Sequence, residues 1–139
     1  MPANTTPIFT ISGNFTPARI SAANTASDGS GTLVTVVTAG ANGSRVDGIR
    51  FRNAQLTAAA SSNMVHRIFI TNTLGANPRL IGEIATPAAT RSTTAIGTTS
   101  IYTFDQPIVM QSGQIMSVCQ SVYASAADQV DACAFAGNY

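Results

Sequence analysis

Lysine and tryptophan are absent from this chain, and histidine and glutamate occur once each, as His66 and Glu83. Each absence closes a class of function. With one histidine and no closely spaced pair of cysteines, the ligand spacings of zinc sites cannot be assembled, so no metal centre is expected. His66 as a general base would need a nucleophile and an orienting acid, and Asp28-Gly29-Ser30-Gly31 is not the strand-to-helix elbow on which a hydrolase serine sits. Asp28, Asp47, Asp105, Asp128 and Asp131 stand mostly beside Gly, Pro or Gln in turn-like contexts. Turn chemistry and ion pairing account for them better than the paired carboxylates of glycoside hydrolysis. The reading is a protein without catalytic residues and without a cofactor.

Charge is scarce as well. Charged residues make up 9% of the chain, against about 25% in an average soluble domain. A net charge of +1 creates no long-range field, and no basic run is dense enough to neutralise several phosphates, so nucleic acid is not an expected partner. No stretch of 18 residues is predominantly apolar without Thr, Ser, Gly or charge interrupting it, which predicts no membrane-spanning helix. The opening MPANTTPIFTISG has neither a basic nor a continuous apolar region, so a secretory signal is not expected, and synthesis in the cytosol is. Without a secretory route, the glycosylation-like triplets at Asn4, Asn14 and Asn42 are discounted.

What is present is β-structure. Runs of β-branched and aromatic residues alternate with clusters of Gly, Asn, Pro, Asp and Ser, and no convincing helix appears. Strands are predicted at about 7 to 12, 16 to 22, 31 to 39, 44 to 53, 63 to 72, 79 to 86, 99 to 105, 107 to 110, 114 to 123 and 129 to 136. The segment from Gln55 to Asn63 reads as a loop or strand edge. About eight to ten short strands predict an all-β chain, an antiparallel β-sandwich of jelly-roll or immunoglobulin-like type. Its 139 residues suffice for one core. Residues 1 to 15, polar and carrying Pro2 and Pro7, read as an extended N-terminal arm that orders against a partner, and 16 to 139 as the sandwich. Gly29, Gly31, Gly40 and Gly43 mark corners with positive φ, and Ala41-Asn42-Gly43 suits a hairpin turn.

Three of the seven arginines sit at 45, 50 and 52. Alternation from 49 to 52 puts Ile49 and Phe51 on one face and Arg50 and Arg52 on the other. Between Arg79 and Ile84 it puts Ile81 outward with Arg79 and Glu83. Met64 to Ile70 is apolar on both faces near its end, as in a central strand or one covered by a neighbouring subunit. Arg45, Arg50, Arg52, Arg67 and Ile81 are therefore the interface candidates: a solvated strand face on one reading, pairing with a partner's carboxylates on the other, for which the forked guanidinium is well shaped. Cys119 and Cys133 fall in the last two predicted strands, and a hairpin centred near Ala126 would set them opposite each other, close enough for a disulfide although a cytosolic origin favours free thiols.

The run LVTVVTAGANGS followed by RVDGIRFRN and then VHRIFITN, Leu33 to Asn72, resembles a group of small proteins encoded among the virion genes of tailed bacteriophages and prophages, which share this glycine corner and the following arginine-bearing strand. The resemblance implies a virion structural component: a capsid decoration or cement protein on the outer head surface, made in the bacterial cytoplasm. Such a protein assembles as a homotrimer and binds the major capsid protein or other virion subunits. The alternative is a glycan-binding or host-adhesion module of a head fibre, collar or tail tip. The lack of tryptophan, leaving Tyr102, Tyr123, Tyr139 and the phenylalanines as sugar platforms, weighs against it.

Overall fold

Polar corners divide the chain into nine strands in the computed structural model, which describes residues 9–54 and 59–139. They are β1 (Ser12–Gly13), β2 (Ala18–Ile20), β3 (Val34–Thr38), β4 (Ser44–Asn53), β5 (Met64–Ile70), β6 (Arg79–Thr86), β7 (Thr99–Met110), β8 (Ile115–Gln120) and β9 (Val130–Asn138). One 3-10 turn, Ala126–Asp128, precedes β9. β4 and β6 have the predicted bounds, and β3, β5 and β8 lie inside theirs. The predicted strands at 99 to 105 and 107 to 110 are one strand, β7. It runs through Pro107 because it lies at a sheet edge, where a missing N–H costs no ladder bond. Of the segment 55 to 63, residues 55–58 lie outside the described residues, and 59–63 form no strand.

All strand pairs are antiparallel and build two sheets. The first has the order β1-β9-β4-β7, with β2 also on β9; the second has the order β3-β8-β5-β6. From β2 onward the pairing is nested: β2 with β9, β3 with β8, β4 with β7, and β5 with β6. This is a long two-stranded ribbon rolled over itself, with the β5–β6 connection as its tip. The topology is a jelly roll, one of the two sandwich types that strand count and alternation allow. The expected hairpin at Ala41-Asn42-Gly43 is instead a corner between sheets, since β3 and β4 belong to different layers. Gly43, at φ 92, closes that corner by donating its N–H to the Gly40 carbonyl at 2.9 Å. Gly40 does not have positive φ; it is small because a Cβ there would lie 2.9 Å from the Asn138 side chain.

The layers meet through Ile20, Val36, Val46, Ile49, Phe51, Met64, Ile68, Met116, Val118 and Val130, each contributing about 1.5–3 kcal/mol by leaving water. Alternation in β4 survives a bulge between Val46 and Gly48, so Val46, Ile49 and Phe51 all point inward while Arg45, Arg50 and Arg52 stay exposed. Ile81 does not face out with the charges: the register of β6 shifts beside it, between the partners of Ile68 and Phe69, and its side chain packs against the core.

Residues 9 to 15 of the predicted arm lie on this chain's own last strand. Ile11 donates to the Asn138 carbonyl at 2.7 Å and Asn14 to that of Ala136 at 3.0 Å. The Asn14 amide also donates to Ser44 Oγ at 2.9 Å and to Asn138 Oδ1 at 2.6 Å. Residues 1–8, the rest of the arm, lie outside the described residues.

The expected Cys119–Cys133 hairpin does not form. The 3-10 turn at Ala126–Asp128 carries the chain from the second sheet to the first, so β8 and β9 never pair, and both thiols are free. Arg50 stands opposite Cys133, and Arg67 opposite Cys119.

Candidate functional site

The two outer faces of the sandwich differ in what covers them. Across the second sheet lies the chain's own loop between β2 and β3: Asn24 donates to the Gln120 carbonyl at 2.8 Å. Cys119 Sγ lies 3.6 Å from the Asn24 carbonyl, and a Cβ on Gly29 would meet Pro78 at 2.7 Å. Under this loop Phe69 and Cys119 are buried, though neither belongs to the central core cluster. Burial raises the Cys119 thiol pKa. The two-sided apolar character of β5 therefore reflects cover supplied within the molecule.

The outer face of the first sheet, by contrast, is left open by the described residues. Its middle strand is β4, with β9 on one side and β7 on the other. Reading along it, Arg52 stands between Asp131 and Thr99, Arg50 between Cys133 and Ile101, and Gly48 between Phe135 and Thr103. Arg45, past the bulge, lies between Gly137 and Val109. Ile101, Val109 and Phe135 are 52%, 64% and 43% exposed, so the face interleaves arginine with apolar groups that water solvates poorly.

Ion pairing distinguishes the arginines. Arg19 holds Asp131 through two bonds, 2.8 and 3.2 Å, and so occupies the carboxylate directly opposite Arg52. Arg45 pairs with Asp47 at 2.8 Å. On the other sheet Arg67 pairs with Glu83 at 2.7 Å and donates to the Thr25 carbonyl at 3.2 Å, which ties the covering loop down. Asp28 accepts from Ser30, and Asp128 from Ser62, Ala124 and Ser125. That leaves Asp105, in the β7 segment facing the β4 bulge, as the carboxylate without a bonded partner among the described residues. Arg50 and Arg52 have no ion pair among them either.

Of the predicted interface residues, then, Arg45, Arg50 and Arg52 share one open face. Arg67 is bound within the chain on the opposite sheet, and Ile81 is half-buried against the core. Sequence reasoning missed Arg19, Ile101 and Phe135, which join this face, and Arg91 at its margin. The alternation of Asp131, Cys133 and Phe135 against Ala132 and Ala134 carried the signal, but the rule that the larger apolar residue faces inward would have reversed it.

Among the described residues, no three His, Cys, Asp or Glu side chains gather closely enough to hold a metal ion, and no helix is long and apolar enough to cross a membrane. No protein-family model, curated protein or solved structure matches this chain.

Proposed function

We propose that this protein is a non-enzymatic structural subunit of a tailed bacteriophage virion, a decoration or cement protein that docks on the outer head surface and stabilises the shell. One observation carries the reading: an open sheet face on which Arg50 and Arg52, without carboxylates of their own, alternate with exposed Ile101 and Phe135. Guanidinium groups and half-exposed apolar side chains are enriched where protein surfaces dock. The sequence resemblance over Leu33 to Asn72 points the same way.

In this reading the face meets the major capsid protein or another virion subunit, and the protein acts as a homotrimer. Each contact is modest. Symmetry multiplies them, so that avidity over the shell replaces high affinity at a single site. No bond is made or broken.

The test is the copy number and position of the protein in purified particles. Many copies spread over the head support decoration. A few at one vertex would move the protein to the neck or tail, and specific binding to a glycan array by the isolated protein would favour the adhesion alternative.

A further inference from the structure

At the end of the open face, Arg52 and Arg91 line one cavity of about 270 Å³ together with Asn53, Ala54 and Asp131. Arg52 comes from β4, Asp131 from β9 and Arg91 from the β6–β7 loop, so two sheet strands and a loop converge there. Asp131 would be the natural partner of Arg52, directly across the ladder, but both of its oxygens accept from Arg19. Arg91 is oriented by donating to the Ala54 carbonyl, a neutral acceptor that leaves its charge uncompensated. Two guanidiniums thus face one space, and the single carboxylate in its lining is bonded to Arg19 and to neither of them.

We propose that this cavity is an oxyanion site that takes a carboxylate. A guanidinium has five N–H donors in a planar fork matched to the two oxygens of a carboxylate, and one fork from each arginine can close on a single group. Asp131 sets the charge of the ligand: its carboxylate in the lining repels a doubly charged phosphate more than a singly charged carboxylate. Arg50, two residues along the same strand face, provides a second contact for a ligand carrying more than one acid. The site belongs to the isolated protein and does not depend on the virion assignment.

The full-length protein is titrated with acetate, and separately with phosphate and with a short glutamate-containing peptide, at constant ionic strength made up with chloride. Arginine Nε–H resonances are followed by NMR. Saturable shifts at Arg52 and Arg91 with acetate are expected, at a Kd on the order of 10 mM, with Arg79 on the other sheet unmoved. Binding should weaken at least tenfold in Arg91→Gln and in Arg52→Gln. In both variants an undisturbed Arg19 signal and amide spectrum report that the fold is kept, and Arg52→Lys provides a second variant with the charge retained but the fork lost. Tighter binding of the peptide than of acetate identifies a partner's acidic side chain as the source; equal binding identifies a free carboxylate. Linear shifts matched by chloride, equal response at Arg79, saturation by phosphate more tightly than by acetate, or unchanged binding in a folded Arg91→Gln protein would each overturn the proposal. Particle occupancy, measured separately, reports on the virion assignment alone.

Discussion

The imidazole of His66 lies flat on the ring of Phe51, centroids 4.3 Å apart and planes 6° from parallel, and this stack joins the two sheets through the middle of the core. His66 is fully buried, and neither of its ring nitrogens has a hydrogen-bond partner among the described residues. Gln120, opposite it on β8, has an unpartnered Oε1. The fold therefore accepts the neutral imidazole as an aromatic plate and rejects the cation.

That rejection makes stability fall in acid. Burial pushes the His66 pKa down to about 4 from 6.5, so between these values the unfolded chain binds a proton that the folded chain does not. Stability is fullest above pH 6.5, decreases by about 3 kcal/mol as the pH drops to 4, and loses nothing further through this group below that. Urea unfolding at pH 7, 5 and 4 measures this. His66→Phe, which keeps the stacked plate, should lose about 3 kcal/mol less over the same range, and parallel losses in the two proteins would refute the assignment.

Asp128 anchors two loops from a buried position. Its carboxylate accepts from the Ser62 and Ala124 N–H groups, each at 2.6 Å, and from that of Ser125 at 3.2 Å. Burial alone would raise its pKa, but these N–H groups outweigh burial and hold it below the usual 3.8. Its contribution is present above pH 3.8 and lost as the pH falls through the lower, folded value. Asp128→Ala should destabilise by about 2 kcal/mol, because it removes the charged acceptor of three partly buried N–H groups, and Asp128→Asn by less. Denaturation midpoints at pH 7 rank the three proteins.

The thiols should differ in reactivity. Cys133 is partly exposed on the open face, whereas Cys119 is covered by the β2–β3 loop and has a raised pKa. Alkylation of the native protein should label Cys133 first and reach Cys119 only on unfolding. Intact mass before reduction should show two alkylated sites after denaturation; a mass lacking both would reveal a bridge.

Changing Arg50 and Arg52 together to Ser removes no internal ion pair. Stability should change by no more than about 0.5 kcal/mol, while occupancy on particles falls. Unchanged occupancy would remove this face from the assembly.

Local rules were legible where one strand face meets water and the other the core. From β4 alone the sequence shows Ile49 and Phe51 inward and Arg50 and Arg52 outward, and the structure keeps that division. Such reasoning failed where partners come from afar. Nothing near Cys133 says that its neighbour is Arg50 rather than Cys119; that depends on which sheet β9 joins. Ile81 misled because a register shift moves a side chain to the opposite face, and alternation assumes a regular ladder. Arg67 looked free because Glu83 and Thr25 reach it through strand pairing and a long loop. The cavity at Arg52 and Arg91 was invisible for the same reason: its residues are neighbours only once β4, β9 and the β6–β7 loop are in place.

The nested ribbon also constrains how the polypeptide matures. β9 is made after every other strand described, yet it sits between β2 and β4 and supplies hydrogen bonds to both. Until it emerges, the early strands of that layer lack the strand that joins them, so the sandwich cannot close before β9 is made, and it closes on the slow timescale of chains whose contacts are mostly between distant residues. A nascent chain of this design must avoid aggregation until the nine residues of β9 arrive.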